Sequence, residues 1–214
     1  MKERPILFND QIVRAVLDGS KTQTRRIVKP QPPESITAGA FNPTVVDRYG
    51  DEQPGAESFG AWTTDGEWAV RCPYGKPGDL LWVREAHAFS VVDPEGRSWH
   101  DNQENWDVIY RADLDQSSGG WLDNEGNEIP PPWRSSTNMP RWASRITLEI
   151  TGVRVERLNS ITDDDALAEG VDRTNTSISG YAAERFKKLW QVIKGQDSWI
   201  KNPWVWVIEF KRIA

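Results

Sequence analysis

Residues 19–26, Gly19-Ser20-Lys21-Thr22-Gln23-Thr24-Arg25-Arg26, put one ammonium, two threonine hydroxyls and two guanidinium groups into a single turn and the start of a strand. Four cations, Lys21, Arg25, Arg26 and Lys29, lie close together in a protein whose formal net charge is −6. That local density in an acidic chain predicts a bound anion or a polar, nucleotide-like ligand. Thr24 offers an oxygen nucleophile, and Lys21, three residues earlier, reaches it if the turn folds back. An unperturbed lysine titrates near ~10.4 and a useful general base near ~7–8, so about 3 units, on the order of 4 kcal/mol, must come from the surroundings. Burial and the neighbouring Arg25 and Arg26 push that way. Left charged, Lys21 instead stabilises an oxyanion. The competing reading is ordinary turn chemistry, with Arg25 and Arg26 on a solvated face.

Other chemistries lack their residues. Gly19 to Thr22 does not complete the Gly-x-x-x-x-Gly-Lys-Ser/Thr of a P-loop, and no Gly-x-Ser-x-Gly elbow is present. His87 and His100 are far apart and Cys72 stands alone, so neither zinc-ligand spacing nor an internal disulfide is expected, and no metal or cofactor is implied. Asp163-Asp164-Asp165 reads as a helix start rather than a metal site. Arg84, Arg141 and Arg145 fit phosphate contacts or salt bridges to the abundant acids equally well.

At 214 residues the chain suits one domain with generous insertions. Mean hydropathy is −0.65, low for a packed domain, but twelve tryptophans offset this because each buries a large area. The acidic balance excludes a general nucleic-acid coat protein; nucleic-acid contact must come from a local patch. The single cysteine suits a reducing compartment. No apolar run approaches membrane-spanning length and residues 1–5 are not followed by a signal-peptide core, so a cytoplasmic protein is expected.

Local patterns predict the elements that would hold the cationic segment. Residues 5–8 read as a strand. Asn9 or Asp10 caps a helix carrying Ile12, Val13, Val16 and Leu17, and Gly19 ends it in a left-handed conformation. Thr24 to Val28 is a strand stopped by Pro30. Residues 30–75 read as an insertion with a hairpin around Ala61–Val70. A Lys76-Pro77-Gly78-Asp79 turn launches a strand from Leu80 to Glu85, and Trp106 to Arg111 is another. A second polar insertion spans Leu114 to Thr137. Arg145 to Leu158 is one long strand with a bulge at Thr151-Gly152. Thr162 starts a short helix ended by Gly170. Ala182 to Ile193 is amphipathic, with Phe186, Leu189, Trp190 and Ile193 on one face. Trp204 to Lys211 is the final strand. Trp82, Trp190, Trp204 and Trp206 read as core. Trp99, Trp106, Trp121, Trp133 and Trp142 lie in or beside polar insertions, where they either pin those segments or stack on a base.

Gly19-Ser20-Lys21-Thr22-x-Thr24-x-Arg26 resembles the G-x-K-T-x-T-x-R signature of the ASCH family. Three further segments agree in order: Lys76 to Val83, the Ala166-x-x-Glu169-Gly170 helix, and Val207-Ile208-Glu209-Phe210. Together they cover about half the chain. Trp82-Val83-Arg84-Glu85 and residues 139–145 also look like a group of phage and prophage proteins carrying this domain. The resemblance implies an α+β class, a PUA-like small mixed β-barrel decorated by helices. It would be a single domain over residues 1–214, with two long insertions at about 31–75 and 88–140 that compact members lack. Compact relatives include an amidohydrolase that removes the acetyl group of N4-acetylcytidine. Its catalytic lysine, threonine and glutamate match Lys21, Thr24 and Glu169. Thr22, Arg26, Arg84 and Trp82 are then candidate substrate-binding residues. The implied partner is a modified nucleoside or RNA, with no membrane. The alternatives within the resemblance are a non-catalytic reader of RNA or modified bases, and a ribonuclease. All three need Lys21, Thr24 and Glu169 to converge on one cavity.

Overall fold

The computed structural model describes residues 1–33, 35–91, 106–114, 121–122, 128–129, 132–172 and 180–214. Strand β1 (Glu3–Leu7), helix α1 (Asp10–Leu17) and strand β2 (Gln23–Ile27) come first. Five short strands follow: β3 (Thr37–Phe41), β4 (Thr44–Val46), β5 (Glu52–Pro54), β6 (Ser58–Trp62) and β7 (Ala69–Arg71). Then come β8 (Leu80–Arg84), β9 (His87–Val91), β10 (Trp106–Tyr110), β11 (Trp121–Leu122) and β12 (Glu128–Ile129). The last third holds β13 (Thr147–Arg157), α2 (Asp163–Ala168), α3 (Tyr181–Lys194), α4 (Asp197–Ile200) and β14 (Trp204–Arg212).

The main sheet has five strands in the order β1-β8-β13-β14-β2. β1 and β8 are parallel; the other neighbours are antiparallel. The class is therefore mixed α+β, as expected. The expected barrel closure is not seen among the described residues, because the paired order ends on β1 and β2. Alternation along a strand fixes which face each residue takes, but not whether two edges meet.

Strand β14 explains how one sheet serves two cores. Successive side chains of a strand point to opposite faces. Trp206, Ile208 and Phe210 join the core shared with Ile6, Val13, Val16, Leu81 and Leu148. Val205 and Val207 join the other, with Leu158, Ala166, Phe186 and Trp190 of the helical layer. Each fully buried side chain of this size contributes about 1.5–3 kcal/mol. The predicted bulge is present, as a register shift between Ile150 and Gly152 of β13.

The predicted hairpin also forms, with Ala61 opposite Val70. β3 adds to it, giving a three-stranded sheet β3-β6-β7. Phe59 of this sheet meets Trp206 edge-on at 6.3 Å, which fastens residues 37–71 over one core. Trp190 and Trp206 are buried, whereas Trp82 and Trp204 are half-buried. Trp99, His100 and the Ser117 to Gly120 run lie outside the described residues. Among the described residues no helix is long and apolar enough to cross a membrane.

Candidate functional site

Helix α1 is capped by the Asn9 side chain, which accepts from the Ile12 amide. It ends at Gly19, whose φ of +78° suits glycine. The chain then turns back beneath the helix: the Lys21 amide donates to the Ala15 carbonyl at 2.8 Å. The next amide, of Thr22, donates to the Ala168 carbonyl at 2.8 Å. Lys21 and Glu169 form an isolated antiparallel bridge. The cationic turn is thus sewn to the end of α2, which Thr162 and Asp165 start with a reciprocal capping box. Gly170 makes that approach possible. A Cβ there would lie 3.0 Å from Ala15 Cβ and 3.1 Å from Lys21 Cβ, and its φ is +85°.

The side chains follow the backbone. Lys21 Nζ donates to Glu169 Oε2 at 2.7 Å and to the Glu169 carbonyl at 2.9 Å. Both side chains are nearly inaccessible, 2% and 5% exposed. An ammonium has three N–H donors, so one remains after these two bonds. Burial pushes the Lys21 ammonium below the ordinary lysine range; the Glu169 carboxylate opposes that, and Arg26 and Arg25 reinforce it.

Arg25 is fully buried and completes the grip on the carboxylate, with Nη1 3.2 Å from Glu169 Oε1. Its Nη2 reaches Glu156 and Asp165. Arg154 then ties Glu156, Asp165 and Glu209 together. Burial raises the Asp165 carboxyl, but bonds from Thr162 and the charge of Arg25 hold it below its usual range.

Lys21, Thr24 and Glu169 all line one small cavity of about 70 Å³. Phe186, Leu189 and Trp190 of α3 form its apolar wall. A wider chamber of about 530 Å³ adjoins it. Ile12, Arg26 and Ile193 line both and form the partition. Convergence of the three candidate catalytic residues is therefore a feature of the molecule. Among the described residues, no group of three or more His, Cys, Asp and Glu side chains is arranged to hold a metal.

The candidate binding residues divide. Arg26 lies on the partition, over the Phe8 ring at 5.4 Å. Thr22 is exposed, and its backbone bonds Ala168 and Phe210. Trp82 and Arg84 line neither chamber. They stack on each other at 5.4 Å, with Arg141 5.8 Å from the same indole. Arg141 and Arg145 make salt bridges, to Glu3 at 2.6 Å and to Glu85 and Asp113.

Sequence reasoning missed Glu156 and Arg154, because nothing local in the strand pattern shows that they meet Arg25, Asp165 and Glu209. It also missed Arg111 and Arg134, which line the wider chamber with Trp133. Their only signal was position, inside a segment read as an insertion.

No family model matches the chain, and no curated protein matches it. Among solved structures it aligns with the crystal structure of protein EF3133 from Enterococcus faecalis V583, described by the family model DUF984. The alignment has 12% identity and a TM-score of 0.36, and covers 100% of this chain and 80% of that one. A likeness of that size carries no functional reading.

Proposed function

We propose that the chain is a cytoplasmic hydrolase of PUA-like, ASCH type that cleaves an acyl amide from a modified nucleoside or nucleobase, of the N4-acetylcytidine kind. One observation carries the reading. An ammonium and a carboxylate 148 residues apart meet beside Thr24 at a cavity of about 70 Å³. Water occupies about 30 Å³ in the liquid, so the cavity suits a group of acetyl size and not a whole nucleoside. Stability alone does not explain the pair, because well-packed apolar residues replace buried ion pairs at little or no cost.

The chemistry balances with this chain's own groups. Glu169 accepts a proton from water as the oxygen attacks the acyl carbon. The third N–H of Lys21 stabilises the oxyanion. Burial, which lowers the proton affinity of Lys21, suits it to donate to the departing base nitrogen as the C–N bond breaks. Glu169 then returns its proton to Lys21 across 2.7 Å. The products are the free amino group and the carboxylic acid. Thr24 anchors the acyl group.

The test is turnover of N4-acetylcytidine to cytidine and acetate, followed by chromatography, with wild type, Lys21→Met and Glu169→Gln. Wild-type turnover that both substitutions abolish is expected. Wild-type inactivity, or activity that survives Lys21→Met, refutes the reading. A second reading, a non-catalytic reader of modified bases, is favoured by the occupation of both Glu169 oxygens by cations. Binding of an acetylated oligonucleotide without turnover would support it.

A further inference from the structure

The cleft concentrates positive charge in an acidic protein. Its two chambers are lined by six cations, Lys21, Arg25, Arg26, Arg111, Arg134 and Lys194, against the carboxylates Asp10 and Glu169. The whole chain carries −6. In the inner chamber two of the cations are committed: Lys21 to Glu169, and Arg25 to Glu169, Glu156 and Asp165.

The outer chamber is different. Arg111 gives its Nε to Asp10 at 2.7 Å, and Arg26 gives one Nη to the Leu7 carbonyl at 2.7 Å. Arg134 is exposed and lies over the Phe89 ring at 4.8 Å. Each is fixed at one edge or by its face, and a guanidinium carries five N–H donors that match phosphate oxygens. Trp133 and the hydroxyl-bearing Ser135 and Ser136 complete the wall. At about 530 Å³ the chamber has the size of a pocket for a nucleotide.

We infer that the outer chamber is a phosphate subsite. Arg111, Arg134 and Arg26 hold the phosphate of a nucleotide, free or within a strand, while its base points past Ile12 and Ile193 to the inner chamber. The preferred substrate is then a nucleotide, with the bare nucleoside the weaker one. The orientation of the base rests on the proposed hydrolysis; the phosphate subsite does not. Arg111 and the stretch from Trp133 to Ser136 belong to residues 88–140, so that segment supplies the phosphate chamber.

Isothermal titration with cytidine, cytidine 5′-monophosphate and a short single-stranded oligoribonucleotide, at several salt concentrations, tests this. The monophosphate is expected to bind at least about 10-fold more tightly than cytidine, as charge-assisted bonds require. Arg134→Gln and Arg111→Gln should each remove most of that preference and lower the salt slope by about 1. Arg134 is exposed, so its variant decides the matter if Arg111→Gln fails to fold. Tighter binding of the oligoribonucleotide assigns the phosphate to a strand; equal binding assigns it to a free nucleotide. Equal affinity for cytidine and its monophosphate, no binding of the monophosphate, or a preference that survives Arg134→Gln overturns the subsite. Binding needs no turnover. An intact phosphate preference without hydrolysis would overturn only the reaction, and hydrolysis without the preference would overturn only the subsite.

Discussion

Glu169 and Glu85 are both buried carboxylates held by arginine, yet one borders a cavity and the other is sealed. Glu85 is 0% exposed and receives Arg145 through Nε and Nη2, both at 3.0 Å. Arg145 gives two further N–H donors to Asp113 and lies 3.8 Å over the Tyr110 ring. Four of the five N–H donors of Arg145 are spent on these two carboxylates, and the cluster ties β10 and the turn after it to the segment leading into β13. At Glu169 the partners are a lysine and an arginine at unequal grip, the lysine keeps an N–H, and Thr24 and the cavity lie alongside. The lesson concerns residual capacity. A fork closed on two carboxylates away from any cavity builds structure, whereas a pair with a donor left over beside a void has the geometry that the proposed reaction needs.

The largest effect should come from Arg145→Ala, which strips Glu85 of its counter-charge. Loss of about 3 kcal/mol in urea unfolding is expected, the low end for a broken buried pair because Glu85 can take up a proton. Turnover per folded molecule should not change. If activity falls with stability, the two clusters are not separable. Lys21→Met is the mirror case: kcat should fall roughly 10²–10³-fold, and a stability loss with normal turnover would make this cluster structural too. Gly170→Ala sharpens the contrast. It forces a Cβ against Ala15 and Lys21 at φ +85°, and should cost about 1–3 kcal/mol while lowering kcat by displacing Lys21. Serine at the same place should do likewise, and a neutral result would show that the close approach is not needed.

The smallest effect is in pH. Burial raises the Glu85 carboxyl above its ordinary 4.5, and Arg145 opposes this. The folded state therefore holds more protons than the unfolded chain between the ordinary and the raised value. Stability from this group is full below the ordinary value and is lost as pH rises through the raised one. Urea midpoints across that window should fall with rising pH, more steeply in Arg145→Ala. A flat profile in the variant would contradict the burial described for Glu85.

Much of the frame was legible because it rests on periodicity. The alternation of β14, the apolar stripe of α1 and the bulge at Gly152 are all local patterns. The Asp163 to Asp165 run read correctly as a helix start, since three acids after Thr162 complement the exposed amides of a first turn. The meeting of Lys21 and Glu169 was not legible from pattern; it came from the family resemblance, because nothing local joins residues so far apart. Arg25 was harder still. A buried arginine looks like any surface arginine until Glu156 and Asp165, brought in by other elements, are seen around it. Closure of the sheet was unreadable for the same reason.

Strand β2 pairs with β14, Val205 opposite Ile27 and Glu209 opposite Gln23. On a ribosome, the first half of the cleft therefore waits while about 180 further residues are made, on the order of 10 s or more. A nascent chain exposes its cationic turn without the carboxylate or the covering helix. The cleft is assembled late, when β14 pairs with β2.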